Sequence, residues 1–417
     1  MLARKRLLTG VWESIAVRGF ELLAKRGFVK TAPLASLCRD LLSERGEASG
    51  TALGRELGER YRELTPKARE AFLVSLLGSD FLPDPKTVNA AAEAYRMKPD
   101  SETLAALIAV AEPPRQELFR RINLAPGGTA LVLEMRSDLL RILPARPELK
   151  PVDADMRHLL GSWFNRGFLR LERIDWSTPA LVLEKIIEHE AVHAIEGWDD
   201  LRRRLAADRR CFAFFHPALP NEPLIFIEIA LTRGMPASVQ ALLDRTAAPR
   251  DDGRADTAAF YSITSCLEGL RGISFGNFLI KQVVAELEAE ELGLKSYVTL
   301  SPMPDFRKWF DALPEERRDP SEQGLTRLAA QYLLTERKRD RAYDPVAAFH
   351  LGNGASVEQI HFGADLSEKG RAQSFGIMVS YGYRASQLER NHEAYVKHGR
   401  VAASAGVRAL LGRSKAR

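Results

Sequence analysis

Three side chains that can carry protons or donate hydrogen bonds stand beside turn residues in the C-terminal half of the chain: Ser301, His350 and Tyr383. Ser301 follows a strand-like run, 295–300, and precedes Pro302, which restricts the backbone on both sides. His350 lies between an apolar segment and a Gly-containing turn, and an imidazole titrates near neutral pH. A hydroxyl, an imidazole and a phenol can together stabilise a developing oxyanion and deliver a proton.

Each of these residues also has an ordinary structural interpretation. A serine before proline is typical of turns and caps, and a lone histidine at an apolar edge is typical of a hydrogen-bonded core residue. A tyrosine that closes a strand, as in Ser380-Tyr381-Gly382-Tyr383, is typical of packing. Residue type and spacing alone leave both interpretations open.

The stretch 258–306 predicts an anion site. An apolar run, 258–266, reads as a strand, and a helical apolar spacing begins near Phe275. The loop between them carries glycines, and unpaired backbone N–H groups at a helix N-terminus attract phosphate. The residues that we expect to bind it are Arg271, Gly272, Ile273, Ser274, Phe275, Gly276 and Asn277.

The segment His189-Glu190-Ala191-Val192-His193 matches H-E-x-x-H, the helical zinc-protease motif. A catalytic zinc site needs a third protein ligand, and neither Glu196 nor His216 completes a known signature. We therefore interpret this segment as a solvated, charged helix end and predict no metal site.

The composition is typical of a globular protein. The chain has 417 residues, 45% of them hydrophobic and 28% charged, with a formal net charge of +5. Basic residues concentrate at both ends, in 4–30 and 390–417. We interpret these ends as serving solubility or an oligomer contact, and expect no nucleic-acid partner.

The cysteines and the hydropathy pattern indicate the compartment. Cys38, Cys211 and Cys266 are widely spaced in apolar surroundings, which predicts buried, reduced thiols. We find neither an apolar run long enough for a membrane span nor a convincing signal peptide. We expect a cytoplasmic protein with no membrane partner.

The length of the chain and a change in its sequence pattern near residue 168 predict two domains, which must position these residues. Residues 1–168 are rich in helix formers separated by short breakers, and Asp100 or Ser101 can cap a helix over 102–111. Residues 169–417 alternate strand-like and helical segments, with a hairpin at Pro220-Asn221-Glu222-Pro223. This predicts an α+β multidomain protein: an N-terminal all-α helical bundle, then a mixed α/β domain on one central sheet.

Several sequence blocks together resemble the malonyl-CoA decarboxylase family, in the same order and with compatible spacing. The blocks are 115–140, 160–176, 190–193, 198–200, 209–211, 221–224, 260–263, 272–281, 300–306 and 353–355. The most distinctive are Ser301-Pro302-Met303-Pro304 and the F-H-L-x-N-G-A segment that contains His350. The first hundred residues share only helical character with the family.

The resemblance implies an oligomerising helical domain, 1–168, and a catalytic domain of the acetyltransferase (GNAT) fold, 169–417. It implies that the 271–277 loop binds the coenzyme A pyrophosphate, and that Ser301 and His350 form a catalytic pair with Tyr383 near the malonyl group. The substrate would be malonyl-CoA and the products acetyl-CoA and CO2. It implies no separate cofactor, since coenzyme A is part of the substrate, and a homo-oligomer, either dimer or tetramer.

Proteins of three other classes remain as alternatives. A coenzyme A-dependent N-acyltransferase of the GNAT type would share the loop and would need an amine acceptor. A helical, basic nucleic-acid binder would lose affinity steeply with salt. A zinc peptidase would be inactivated by chelation. Nothing in the residues settles whether Ser301, His350 or Tyr383 contacts the carboxylate or the thioester oxygen.

Overall fold

The computed structural model describes residues 33–43, 46–249, 253–273 and 279–412, which fall into two compact units. The first unit holds the described residues of Met1–Phe168, Pro217–Pro220 and Leu267–Ser274. The second holds those of Leu169–His216, Asn221–Cys266 and Phe275–Arg417. Two short pieces from the C-terminal part of the sequence therefore pack with the helical unit.

Helices form the first unit throughout its described residues before Phe168. Their bounds are α1 Leu34–Ser43, α2 Glu47–Glu63, α3 Pro66–Ser75, α4 Pro85–Met97, α5 Ser101–Ala111, α6 Pro114–Leu124, α7 Gly128–Ile142 and α8 Lys150–Trp163, with 3₁₀ turns at Ser79–Phe81, Pro147–Leu149 and Arg166–Phe168. Their core contains fully buried Leu57, Phe119 and Met156. Asp100 caps α5 in a capping box with Thr103, as the sequence predicts.

The hairpin formed by α4 and α5 differs from the other helices of this unit. Neither helix has a buried residue, although α5 is rich in apolar side chains. Met97, Leu104 and Ile108 are exposed by 71%, 40% and 61%. The apolar face of this hairpin therefore has no partner within the described chain.

The second unit is built on one mixed sheet. Its strands are β1 Arg170–Ile174, β2 Arg209–Phe215, β3 Ile225–Thr232, β4 Thr257–Ser265, β5 Ser296–Thr299, β6 Ser301–Pro302, β9 Ser356–His361 and β10 Met378–Gly382, while β7 Arg337–Lys338 and β8 Arg341–Ala342 form a separate small hairpin. Strands β1 to β4 are antiparallel neighbours, β4 and β5 are parallel, and β10 pairs with β5, β6 and β9.

Ten helices accompany these strands among the described residues of the second unit. They are α9 Ala180–His189, α10 Trp198–Arg204, α11 Val239–Leu243, α12 Leu279–Ala289, α13 Phe306–Asp311, α14 Glu322–Leu334, α15 Pro345–Gly352, α16 Glu368–Ser374, α17 Ala385–His398 and α18 Ala405–Ala409. Short 3₁₀ turns occupy Glu268–Leu270, in the first unit, and Glu315–Arg317. Helix α12 lies between the parallel strands β4 and β5 in sequence, so these three elements form a β-α-β crossover.

Strands β5 and β6 are successive parts of one chain segment along the same edge of β10. Val298 pairs with Gly382, and Ser301 pairs with Val379, so Thr299 lies opposite Tyr381. Because side chains alternate along a strand, Thr299 and Ser301 share one face of the sheet, and Leu300 packs on the other against Tyr261 and Met378.

The predicted fold class is confirmed, and so are most of the individual elements. Apolar or alternating runs in the sequence predict strands at 168–174, 211–215, 224–231, 258–266, 295–300, 357–362 and 376–381, and the observed strands begin and end within a residue or two of these positions. One helix is wrong in length. The sequence predicts a helix over 179–194, but α9 ends at His189, and the chain then leaves the helix with the side chains of Glu190 and His193 buried. Among the described residues, no helix is long and apolar enough to cross a membrane.

The three cysteines are free and buried, as expected from their apolar surroundings. The N-terminal basic segment, 4–30, lies outside the described residues, and the C-terminal one is described up to residue 412, including the end of α17 and all of α18. Their proposed role in solubility or assembly stays a prediction.

Candidate active site

Ser301, His350 and Tyr383 form one continuous hydrogen-bonded chain. The Oγ atom of Ser301 lies 3.0 Å from Nε2 of His350, and the other ring nitrogen, Nδ1, lies 2.8 Å from the hydroxyl oxygen of Tyr383. The three residues come from distant parts of the sequence, and the fold places them in direct contact. The imidazole stands between two hydroxyl groups, so a proton can pass through it in either direction.

The sheet supplies two of these side chains. Ser301 opens β6, and Tyr383 directly follows β10, where its N–H donates to the carbonyl oxygen of Tyr297 at 2.8 Å. The ring of His350 stacks on Tyr381, with ring centroids 4.5 Å apart and an angle of 23° between the planes. Tyr381 therefore serves as a flat support that fixes the orientation of the imidazole.

Helix α15 supplies the imidazole, and a buried carboxylate fixes the start of that helix. Asp344 accepts hydrogen bonds from the backbone N–H groups of Val346 and Ala347, at 2.9 and 3.1 Å, and from the hydroxyl of Tyr332 at 3.2 Å. Pro345 occupies the first helical turn, where its missing N–H costs nothing. The cap determines where α15 starts, and His350 follows in its last turn.

Burial controls the proton affinities of this group. His350 is 2% exposed, and removal from water lowers the pKa of its imidazole to about 3. Burial raises the pKa of the Tyr383 and Tyr381 hydroxyls well above the usual value for tyrosine. Burial also raises the pKa of Asp344 to about 6, although several hydrogen bonds oppose the shift. At neutral pH the chain from Ser301 to Tyr383 is therefore uncharged.

Thr299 extends this chain at its other end. The hydroxyl of Ser301 donates to Oγ1 of Thr299 at 2.8 Å, and the same oxygen accepts the backbone N–H of Tyr381 at 3.1 Å. Thr299 is fully buried. Neither Thr299 nor Asp344 stands out in the sequence as a candidate site residue. Two hydroxyl residues spaced by two in a strand, Thr299 and Ser301, are the signal that could have revealed the first of them.

A cleft of about 660 Å³ lies beside this group. Its walls are formed by α12, by residues 294–298 and by residues 382–389. Of the three predicted catalytic residues, Tyr383 lines the cleft and Ser301 and His350 do not. The cleft also carries Lys281 and Arg384, which pair with Glu389 at 3.7 Å and Glu358 at 2.8 Å.

The predicted phosphate loop is described only in part. Arg271, Gly272 and Ile273 are present, and Ser274, Phe275, Gly276 and Asn277 lie outside the described residues. Gly272 has φ = +77°, a backbone conformation that favours glycine. The Arg271 side chain is 64% exposed, and fully buried Arg136 donates to the carbonyl oxygens of Gly269 and Arg271. The start of the loop is therefore anchored on α7.

The H-E-x-x-H segment does not form the zinc-protease motif. That motif needs both histidines on one continuous helix, whereas α9 ends at His189. The interpretation as a solvated helix end is also wrong. Glu190 is buried and accepts from the N–H groups of Val192 and His193 and from the hydroxyl of Ser262. The described residues contain no group of three or more potential metal ligands.

The mixed sheet with its parallel crossover and the buried hydroxyl–imidazole chain define a mixed α/β protein with a candidate acid–base site. Comparison with known proteins specifies it further. The family model "Malonyl-CoA decarboxylase C-terminal domain" matches residues 167–322 and 313–417, and the model "Malonyl-CoA decarboxylase N-terminal domain" matches residues 81–164. The chain belongs to the malonyl-CoA decarboxylase family and is a carboxy-lyase.

Individual relatives agree with this assignment. The malonyl-CoA decarboxylase named mitochondrial from Anser anser anser is 32% identical over 403 residues, covering 82% of this chain and 80% of its own length. Solved malonyl-CoA decarboxylases from Rhodopseudomonas palustris and Agrobacterium vitis are 46% and 47% identical, with TM-scores of 0.85 and 0.86. They cover 90% and 92% of this chain, and 98% and 100% of their own. The cytoplasmic location stays a prediction, since the goose relative is named mitochondrial.

The depressed pKa of His350 generates a pH prediction. Because the imidazole stays neutral until the pH approaches about 3, kcat should show no histidine ionisation as the pH falls from 8 to 5. The measurement is kcat at saturating malonyl-CoA over this range. Asp344, whose pKa is raised to about 6, is the control: a loss of kcat near pH 6 should vanish in Asp344→Asn. A loss near pH 6.5 that persists in that variant would contradict a neutral His350.

Proposed function

We propose that the chain decarboxylates malonyl-CoA to acetyl-CoA and CO2, with Ser301 and His350 acting at the malonyl group. Family membership supports the reaction, and one observation carries the assignment of residues: the contact of 3.0 Å between Ser301 Oγ and His350 Nε2 at a buried site. A hydroxyl beside an imidazole combines a hydrogen-bond donor for an oxyanion with a proton carrier. Tyr383, in contact with the far side of the imidazole, completes the set.

The reaction needs these two functions in sequence. The bond between the malonyl carboxylate carbon and the α-carbon breaks, CO2 leaves, and the electron pair moves into the thioester as an enolate. The enolate oxygen requires hydrogen-bond donors while the charge develops. The α-carbon then takes one proton from His350, directly or through Ser301, to give acetyl-CoA, and a proton from solvent restores the imidazole.

A neutral imidazole suits this chemistry better than a cation. An imidazolium beside the malonyl carboxylate would stabilise the charge that the reaction must remove, and would favour the substrate over the transition state. Burial lowers the pKa of His350 to about 3, so no such cation forms near neutral pH. A thioester enolate is a strong base, so even a neutral ring can protonate it.

We propose that no metal or redox cofactor takes part. The thioester carbonyl itself accepts the electron pair that decarboxylation releases, so no other electron sink is required. Coenzyme A enters as part of the substrate and leaves as part of the product. The test is turnover of malonyl-CoA in the presence of EDTA, in the same assay that the variants below require.

For the coenzyme A moiety we keep the 271–277 loop as the pyrophosphate site. The support comes from the sequence: a strand, a Gly-containing loop and a helix, α12, follow one another, and the first amides of such a helix favour phosphate. Gly272 adopts a left-handed conformation, and the exposed Arg271 side chain, which contacts Glu268 at 3.9 Å, could turn to a phosphate.

Ser301→Ala and His350→Asn should each lower kcat by at least about a hundredfold, the scale of losing an oxyanion donor or an acid–base group. Each substitution removes a buried hydrogen-bonding group, so thermal unfolding must show that both variants remain folded at the assay temperature. The measurement is the formation of acetyl-CoA and CO2 without an amine acceptor. Near-normal turnover in both variants would remove this pair from the mechanism, and a requirement for an amine would favour an acyltransferase.

Arg271→Ala should raise KM for malonyl-CoA and leave kcat nearly unchanged, because a phosphate contact acts equally on the bound substrate and the transition state. Steady-state kinetics over a range of malonyl-CoA concentrations measures the two constants separately. Arg307, on α13, is the matched control: it is an exposed arginine that contacts Asp311, as Arg271 contacts Glu268, but it lies outside the 271–277 loop. A fall in kcat alone for Arg271→Ala would contradict the pyrophosphate assignment.

We also propose that the helical unit assembles copies of this chain into a dimer or tetramer. The support is the α4–α5 hairpin, which buries none of its own residues and exposes Met97, Leu104 and Ile108. Burying one such side chain against another copy stabilises an interface by roughly 1.5–3 kcal/mol. A hairpin face of this kind fits an apolar contact between identical chains.

Ile108→Glu should reduce the assembly to smaller species, because it places a charge on that apolar face. Val396→Glu is the matched control: Val396 lies on α17 and is 63% exposed, against 61% for Ile108. Sedimentation equilibrium of the two variants and the unmodified protein gives the masses. An unmodified protein that is monomeric, or an unchanged mass for Ile108→Glu, would contradict the proposal.

A further inference from the structure

We propose that Thr299 is a positioning residue that fixes the protons of the Ser301–His350 pair and holds the imidazole in the tautomer with its proton on Nε2. This inference deepens the proposed function and rests on it. Thr299 is the last residue of β5, two positions before Ser301 on the same face of the sheet. It does not contact the imidazole, so it acts through the serine.

The oxygen of Thr299 accepts two hydrogen bonds. The backbone N–H of Tyr381, 3.1 Å away, can only donate, so Oγ1 must accept there. The contact of 2.8 Å to Ser301 has the geometry of a bond that the serine donates and the threonine accepts. Both lone pairs of Oγ1 are therefore engaged, and the single hydroxyl proton of Ser301 points at Thr299.

This arrangement decides which ring nitrogen carries the proton. Ser301 has no second proton to offer, so its contact of 3.0 Å with Nε2 is a hydrogen bond only if Nε2–H donates. The buried imidazole is neutral and holds a single ring proton, so Nδ1 is bare. The hydroxyl of Tyr383, 2.8 Å away, then donates to Nδ1.

The opposite arrangement would satisfy the same three side chains. In it Ser301 donates to Nε2, and Nδ1–H donates to the oxygen of Tyr383. The imidazole would then have no proton on the side of the serine and none to deliver there. Only the acceptor beyond the serine distinguishes the two arrangements, and Thr299 is that acceptor.

The location of Thr299 makes this control effective. Thr299, His350 and Tyr383 are all buried, so water does not offer the serine proton another acceptor. The pairing of β5 with β10 fixes the threonine, because Thr299 lies opposite the residue whose N–H it accepts. When substrate binds, the hydroxyl of Ser301 can turn from Thr299 to the malonyl group while Nε2–H stays behind it. After this rotation the hydroxyl proton can donate to the enolate oxygen, and the proton on Nε2 remains available for the α-carbon.

The test is the ring tautomer of His350, read by ¹⁵N NMR on full-length protein labelled at histidine. Protonated and bare ring nitrogens of a neutral imidazole resonate far apart, and His350→Asn identifies the signals of this residue. In the unmodified protein Nε2 should carry the proton. Thr299→Val, which keeps the shape and removes the acceptor, should move the proton to Nδ1. Thr299→Ser, which restores a hydroxyl, should return it to Nε2.

Kinetics should follow the same pattern. Thr299→Val should lower kcat about tenfold or more and leave KM for malonyl-CoA within about twofold, because the substrate still binds but meets an imidazole with its proton on the wrong side. Thr299→Ser should recover most of kcat. Thermal unfolding of both variants shows whether each remains folded at the assay temperature.

Two results would overturn the inference. If His350 keeps its proton on Nε2 in Thr299→Val, the threonine does not set the tautomer. If Thr299→Ser loses as much kcat as Thr299→Val, the methyl group matters rather than the hydroxyl, and the role is packing. Failure of the proposed function looks different: Ser301→Ala and His350→Asn would then retain turnover, whatever the tautomer in the threonine variants.

Discussion

The alignment of one short chain segment, β5 and β6, against β10 is the constraint on which the rest of the site depends. Backbone pairing at Val298–Gly382 and Ser301–Val379 places two hydroxyl residues beside two tyrosines on a single face. A shift of one residue would turn Ser301 to the opposite face, where Leu300 now packs. The imidazole of His350, on α15, can contact Ser301 only because backbone pairing in the sheet fixes the position of the serine.

The site contains only neutral groups, whereas other buried polar clusters of this unit contain charged side chains. Elsewhere buried ions are paired, as Arg203 is with Asp208 and Arg204 with Glu228. The chain from Thr299 to Tyr383 contains only neutral groups and is satisfied by hydrogen bonds alone. Water exclusion therefore keeps the imidazole uncharged, which suits a reaction that must release CO2 from a carboxylate.

Local patterns made much of this architecture predictable. Strand alternation and helix caps depend on neighbouring residues, so β1, β4 and the capped helix α5 appear where the sequence indicates. The H-E-x-x-H segment differs from its prediction for the same reason: helix-like spacing continues past His189, but the helix ends there and Glu190 accepts buried hydrogen bonds from His193 and Ser262. The burial and hydrogen bonding of Asp344 could not be predicted from local patterns either, because its partners include Tyr332, twelve residues away.

The sequence by itself determined the fold class, the elements and, through resemblance, three residues that stand together: Ser301, His350 and Tyr383. These predictions depend on residue type and on the order of neighbouring residues, both of which can be seen in the sequence. Only the tertiary structure decided which atoms meet, that water is excluded, and that Thr299 accepts the proton of Ser301. Which atom donates in each hydrogen bond depends on distances between atoms of different strands and a helix. No local sequence pattern encodes these distances.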